Sequence, residues 1–91
     1  MAASAPAAAQ PSEALHLRRL AATCAACHGT DGKPPAGSAI PRLAGTDREE
    51  LLARMRGFRD GSRPATVMHQ LARGYSEPQI SALAGYFARQ R

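Results

Sequence analysis

The segment CAACH, residues 24–28, contains both cysteines of this 91-residue chain and the second of its three histidines. Thiols three positions apart lie about one helical turn from each other, so both reach the same side of whatever they bind. His28 follows directly and adds an imidazole to the same short segment. The pattern favours a site for a bound group over the plainer alternative, two core cysteines beside a surface histidine.

Three chemistries use cysteines at this spacing. A structural zinc site needs about four ligands, and the remaining histidines, His16 and His69, are not spaced as a pair. A thioredoxin-like redox pair belongs on a βαβ framework, and the chain has no strand pattern. C-x-x-C-H is also the signature of covalent c-type haem attachment. We therefore predict one haem c, with Cys24 and Cys27 forming thioethers and His28 as the proximal iron ligand.

The composition suits a chain that encloses a large apolar group. The length allows one domain, yet the chain has only two phenylalanines, two tyrosines and no tryptophan. A core made of these side chains alone would be thin, and small domains with thin cores usually need a cofactor or a cross-link. The haem is expected to supply much of the core.

The charge balance and the N-terminus restrict partners and location. Eleven arginines and one lysine against seven acids give a net charge of +5, which favours acidic partner surfaces. No nucleic-acid recognition motif accompanies the arginines, so no nucleic-acid binding is expected. Residues 1–11 are interpreted as a flexible lead-in that follows a removed signal peptide. No apolar stretch is long enough to span a membrane.

Apolar periodicity predicts an all-α domain over residues 12–91, with three main helices, one short helix and long loops. The predicted helices run from Glu13, capped by Ser12, to Cys27; from a capping box of Thr46 and Glu49 to Arg59; from His69 to Arg73; and onward from Ser76, where Gln79 completes a second capping box. The side chains expected to face inward are Ala14, Leu17, Leu20, Ala21, Cys24, Leu51, Leu52, Met55, Phe58, Ile80, Leu83, Ala84 and Phe87. In the first loop, the apolar residues Ile40, Pro41 and Leu43 are expected to be buried.

The iron needs a second axial ligand opposite His28. Met68 is the prediction, because it follows Pro64 in a loop able to cross the ring. Met55 has the periodicity of core packing. His69 stays an alternative by spacing alone, although neighbours on a helix point about 100° apart and only one of the pair can face the iron.

The order CAACHG, IPRLAG, RPATVMHQLARGYS and ISALAGYFARQ, over residues 13–91, resembles the class I c-type cytochromes. Within them it is most similar to the cytochrome subunit of flavocytochrome c sulfide dehydrogenase and related small monohaem proteins. The resemblance implies that Met68 is the axial methionine and that the carbonyl of Pro41 accepts a hydrogen bond from His28. It also implies that the first and last helices cross closely at small residues, expected here to be Ala21, Ala84 and Gly85.

These expectations describe a periplasmic electron carrier with His/Met ligation, not an enzyme by itself. Its partners would be redox proteins with acidic docking surfaces. A sulfide dehydrogenase whose flavin sits in another chain is one candidate. Arg42 and Arg63 are candidates to pair with the haem propionates. The alternative function is a haem protein with an open or labile sixth site, acting as a peroxidase-like catalyst or a gas sensor.

Overall fold

The computed structural model describes residues 5–91, with side chains from Glu13 onward. Its elements are α1 (Ala5–Ala22), α2 (Ala25–His28), a 3-10 turn (Thr30–Gly32), α3 (Arg48–Asp60), α4 (Met68–Arg73) and α5 (Glu77–Ala88). No strand occurs within that range, so the predicted all-α fold is confirmed. Of the lead-in proposed for residues 1–11, positions 1–4 lie outside the described residues.

The first helix differs from the prediction at both ends. It begins at Ala5, so Ser12 lies inside it rather than at its cap. The alanine-rich stretch before Ser12 explains the earlier start, because alanine has the highest intrinsic helix propensity. The helix ends at Ala22 instead of continuing to Cys27, because Thr23 turns its hydroxyl back to the carbonyl of Leu20 at 2.8 Å. A local side-chain bond of this kind competes with helical geometry.

The capping prediction is wrong for α3 and confirmed for α5. Asp47, not Thr46, caps α3, because its carboxylate accepts the backbone N–H of Glu50 at 3.1 Å. Aspartate is among the strongest N-cap residues, and it lies one position closer to the helix than Thr46. The capping box predicted for α5 is present and joins Ser76 to Gln79. The short helix α4 begins at Met68, one residue before the predicted start.

A small core lies where α5 packs against both α1 and α3, and α4 also packs against α3. Ile80 is the largest side chain that is fully buried. The cluster of buried residues consists of Ala21, Leu51, Leu52, Ile80, Leu83, Ala84, Tyr86 and Phe87. The stripe predicted for α5 is therefore confirmed, whereas on α3 Met55 and Phe58 are only half-buried and on α1 Ala14 is exposed.

Gly85 does not lie at the crossing of the first and last helices. A side-chain carbon added there would lie 3.2 Å from the Arg89 guanidinium and 3.7 Å from that of Arg48, and within 4 Å of no described residue of α1. Ala21 and Ala84 do belong to one buried cluster. The close approach of α1 and α5 thus uses the two alanines, and the glycine leaves room for arginine side chains.

Across the described range Ala5–Arg91, none of the helices combines the length and the apolarity needed to cross a membrane.

Candidate haem-binding site

The CAACH segment forms a separate single turn after the break at Thr23. The N–H of His28 donates to the carbonyl of Cys24 at 2.9 Å, which holds the residues at the two ends of the motif in one turn. Cys24 is half-buried and packs against the core, whereas Cys27 is exposed. Neither cysteine is in a disulfide. Both thiols are thus available for bonds to another group.

The surroundings of Cys24 alter its acidity. Burial raises the pKa of this thiol above its ordinary value. The protonated thiol is a poor nucleophile. Burial thus disfavours the reactive thiolate of Cys24, while the position of this residue beside the core fixes where a bond through its sulfur would lie.

The ring of His28 is oriented by a backbone group from a distant loop. Its Nδ1 lies 2.7 Å from the carbonyl oxygen of Pro41. A carbonyl only accepts, so Nδ1 carries the proton, and in the neutral ring the lone pair is on Nε2. This arrangement presents Nε2 as a metal ligand. The contact implied by the resemblance between His28 and Pro41 is present.

The loop that carries Pro41 is held by its backbone. The carbonyl of Gly32 accepts N–H groups from Leu43, at 2.9 Å, and from Ala44, at 3.1 Å. Further on, the N–H of Gly45 donates to the carbonyl of Phe87 at 2.9 Å. The segment 41–45 is therefore fixed both to the turn that follows His28 and to the end of α5.

Gly29 is required immediately after the motif. Its φ of 85° and ψ of 161° lie in a region that only glycine readily occupies. A side-chain carbon at this position would lie 2.3 Å from the carbonyl oxygen of Lys33. The sharp turn after His28 therefore requires a glycine at position 29, the last residue of CAACHG.

Two tyrosines form hydrogen bonds with residues just before and just after the CAACH segment. Tyr86 on α5 donates to the carboxylate of Asp31 at 2.5 Å, in the turn after His28. The Tyr75 hydroxyl lies 2.5 Å from the Thr23 hydroxyl, in the break before Cys24. Sequence reasoning missed both contacts, because they join residues 55 and 52 positions apart and no local spacing signals such pairs.

Met68, the predicted sixth ligand, is the first residue of α4. Met68 is half-buried, and among the described residues it is not part of the packing around the core cluster. Met55 does pack against that cluster. The Nε2 of His69 donates to the carbonyl of Arg63 at 2.5 Å, and its ring centroid lies 6.4 Å from that of Phe58. Of the three candidates for the sixth ligand, Met55 and His69 are thus engaged with other residues of the chain.

The two arginines proposed for the propionates have weak partners. The guanidinium of Arg63 lies 5.6 Å from the ring centroid of Phe58. The Nε of Arg42 donates to the carbonyl of Ala44 at 3.3 Å. In the described part of the chain neither one pairs with a carboxylate, unlike four other arginines, which are Arg48, Arg54, Arg56 and Arg59.

The apolar surface and the donor set both suit a haem. Ile40, Val67 and Leu71 are 40%, 55% and 48% exposed, and Leu43 is half-buried. The expectation that Ile40 and Pro41 are buried is not met by contacts within the described part of the chain, where both are exposed. Among the described residues, α2 has no extensive contact with α4, so the elements bearing His28 and Met68 do not pack directly together.

The donor set does not suit zinc. Within the range that the structure describes, no three side chains of histidine, cysteine, aspartate or glutamate come together as metal ligands. A structural zinc site needs about four such ligands. Two thiols, one imidazole with a free Nε2 and a methionine on a separate helix are instead the groups that hold a haem c.

Comparison with known proteins gives relatives of one kind. The chain is 41% identical over 71 residues to cytochrome c4 of Pseudomonas aeruginosa, covering 78% of this chain and 35% of the relative. It is 41% identical over 68 residues to the cytochrome subunit of sulfide dehydrogenase of Chlorobaculum tepidum, covering 75% and 60%. It is 38% identical over 71 residues to cytochrome c-554(548) of Halomonas halodenitrificans, covering 75% and 84%.

The lengths of these relatives differ. The chain spans about a third of the cytochrome c4 and three fifths of the sulfide dehydrogenase subunit, but most of cytochrome c-554(548). A scan against models of known protein families gives no match.

Proposed function

This chain belongs to the class I c-type cytochromes, and on that premise we propose that it is a periplasmic one-electron carrier with one haem c, bound by His28 and Met68. When bound, the haem supplies an Fe(II)/Fe(III) couple. The names of the relatives, which are cytochromes and a cytochrome subunit, support a carrier rather than an enzyme. The family also implies haem c as the cofactor.

Cys24 and Cys27 are proposed to hold the cofactor through thioethers. The two sulfurs belong to one helical turn, so both reach one edge of a flat ring. Cys24 would fix that edge against the core, since it already packs there. Cys27 is exposed, so its thioether would lie at the protein surface, where a partner approaches.

The hydrogen bond between His28 and Pro41 is the observation that carries the proposal. It holds the proton on Nδ1 and leaves Nε2 free. A hydrogen-bond acceptor on the far nitrogen both orients a ligating imidazole and raises its basicity. A surface histidine would not need this orientation, and a backbone carbonyl supplies it without adding a titratable group.

Met68 is proposed as the sixth ligand because the competing side chains are engaged elsewhere. His69 donates to the backbone of Arg63, and Met55 packs against the core. Because neighbouring helical side chains diverge by about 100°, directing His69 toward Arg63 turns Met68 away from that contact. A thioether ligand raises the reduction potential and closes the iron to outside molecules, as a carrier requires.

Leu43, Arg42 and Arg63 are proposed to complete the haem environment. Leu43 is half-buried beside the loop that orients His28 and offers apolar contact to the ring. Arg42 and Arg63 lack carboxylate partners within the described residues. Guanidinium groups bind carboxylates in bidentate geometry, so these two are the propionate partners that we propose.

The partner is proposed to be a redox protein with an acidic docking surface. The net charge of +5 favours such a surface by electrostatic steering. Because one relative is the cytochrome subunit of a sulfide dehydrogenase, a flavoprotein of that kind is the electron donor that we propose to test first. The relatives are bacterial c-type cytochromes, which supports the periplasmic location that we propose.

Reaction of the reduced holoprotein with carbon monoxide tests the proposal. A carrier with Met68 on the iron should give no rapid spectral change, and it should titrate reversibly as a single one-electron couple. Rapid and complete carbon monoxide binding would instead assign the chain to the alternative, a catalyst or sensor with an open sixth site.

A further inference from the structure

The hydrogen bond between Thr23 and Tyr75 joins the two sides of the proposed haem cleft. Thr23 occupies the break directly before Cys24, and Tyr75 follows the last turn of α4, the helix that begins with Met68. Their hydroxyl oxygens are 2.5 Å apart although the residues are 52 positions apart in the chain. No other polar side-chain contact in the described structure joins these two segments.

The direction of this bond follows from the other partner of Thr23. The Thr23 hydroxyl donates its proton to the carbonyl of Leu20 at 2.8 Å. A hydroxyl has one proton and two acceptor sites. Tyr75 must therefore donate to the Thr23 oxygen, and a phenylalanine at position 75 would remove the bond while keeping the ring.

Both partners are held in place by their own segments. The N–H of Thr23 donates to Leu20, and the N–H of Cys24 donates to the carbonyl of Ala21 at 3.0 Å, so the break is fixed to α1. The N–H of Tyr75 donates to the carbonyl of Ala72, which is fully buried, and the Tyr75 ring packs against the core cluster. A displacement of α4 would therefore move Tyr75 and strain the bond.

We infer that Tyr75 is a positioning residue for the sixth ligand: its hydrogen bond to Thr23 fixes α4 relative to the CAACH segment and slows the departure of Met68 from the iron. This inference rests on the proposed ligation by Met68. Core contacts hold α4 against α3, but no extensive packing joins it to α2 among the described residues. The polar bond supplies the connection that packing does not.

The experiment measures how fast imidazole replaces Met68 in the oxidised holoprotein. Imidazole binds only after the iron–sulfur bond opens, so the rate at saturating imidazole is the rate of that opening. Tyr75→Phe and Thr23→Val should each raise this rate by about threefold to tenfold, the range expected for one intramolecular hydrogen bond. The double variant should be no faster than Thr23→Val alone, because Tyr75→Phe removes only a bond that Thr23→Val already removes.

Thr23→Ser and Tyr86→Phe are the matched controls. The first keeps the hydroxyl and should keep the native rate. The second deletes a tyrosine hydroxyl that bonds Asp31 and involves neither α4 nor Thr23, so its rate should stay within about twofold of native. Circular dichroism and covalently retained haem show that each variant is folded, which separates faster ligand exchange from general loosening.

Native exchange rates in both Tyr75→Phe and Thr23→Val would overturn the inference, as would an equal acceleration by Tyr86→Phe. The variant Met68→Ala tests separately whether Met68 is the sixth ligand at all. If that variant keeps the native six-coordinate spectrum, Met68 is not the ligand, and both the ligation and the inference are wrong.

Discussion

His28 Nδ1 and the carbonyl oxygen of Pro41 lie 2.7 Å apart, although thirteen positions separate the two residues. The acceptor is a backbone atom, so its position depends on the path of the loop rather than on any side chain. Gly32 determines that path, since its carbonyl binds the N–H groups of Leu43 and Ala44. The orientation of the proximal ligand is therefore sensitive to substitutions at a glycine that never touches it.

Gly32→Ala should destabilise the protein by about 2–4 kcal/mol, from a strained positive φ together with steric overlap. The φ of Gly32 is 77°, and an added side-chain carbon would lie 2.8 Å from Leu43 and 2.9 Å from Phe87. Gly37→Ala is the control, because its φ is 85° but nothing lies within 4 Å. Urea denaturation should show the larger loss for Gly32→Ala, and equal losses would show that the contacts with Leu43 and Phe87 do not matter.

Cys24→Ala and Cys27→Ala should each leave one thioether, and the double change should leave the haem extractable into acid–acetone. Because Cys24 packs against the core and Cys27 is exposed, Cys24→Ala should also cost about 1 kcal/mol more in unfolding free energy. Mass spectrometry reports the attachment and thermal unfolding reports the stability. Haem released by acid–acetone from the native protein would contradict covalent attachment.

Met68→Ala should open the iron, permit carbon monoxide binding and lower the reduction potential. His69→Ala should keep a methionine-type spectrum, because His69 is bound to the backbone of Arg63. Met55→Ala should leave the iron closed and cost about 1–2 kcal/mol of stability, less than a fully buried methionine, since this side chain is half-buried. A Met68→Ala protein that stays six-coordinate with an unaltered potential would make His69 the next ligand to test.

Alkaline pH should lower the free energy of unfolding through the ionisation of Tyr86. The hydrogen bond to Asp31, with burial and the charge of that carboxylate, raises the pKa of the phenol above its ordinary value of 10.0. The folded state holds the proton more tightly than the unfolded state. The stabilisation is thus complete below about pH 10 and is lost as pH rises through the folded pKa. Unfolding free energies of native protein and Tyr86→Phe should converge above about pH 10, and parallel curves would count against this linkage.

Asp47→Ala should lower the unfolding free energy by about 1 kcal/mol, the typical cost of an N-cap. Thr46→Ala, at the position that sequence spacing favoured, should cost less, because the N–H of Glu50 is bound by Asp47. Denaturant titration of the two variants distinguishes the caps. A greater loss in Thr46→Ala would restore the sequence-based assignment.

The sequence by itself determined the features that depend on neighbours along the chain. CAACH predicts a haem c because two thiols and an imidazole at that spacing suit few other groups. The capping box of Ser76 and Gln79 and the buried stripe of α5 follow from interactions three or four residues apart, which local spacing encodes. The fold class follows from the same periodicity.

Tertiary structure alone decided what depends on groups far apart in the chain. The bond between Thr23 and Tyr75 could not be predicted, since the two residues lie 52 positions apart. His69 and Met68 are adjacent, so spacing could not rank them as ligands, whereas the bond from His69 to Arg63 distinguishes them. Gly85 has the small size suited to a helix crossing, yet its space faces Arg48 and Arg89. Tyr75 and Arg48 are brought near Thr23 and Gly85 only by packing, which local periodicity does not record.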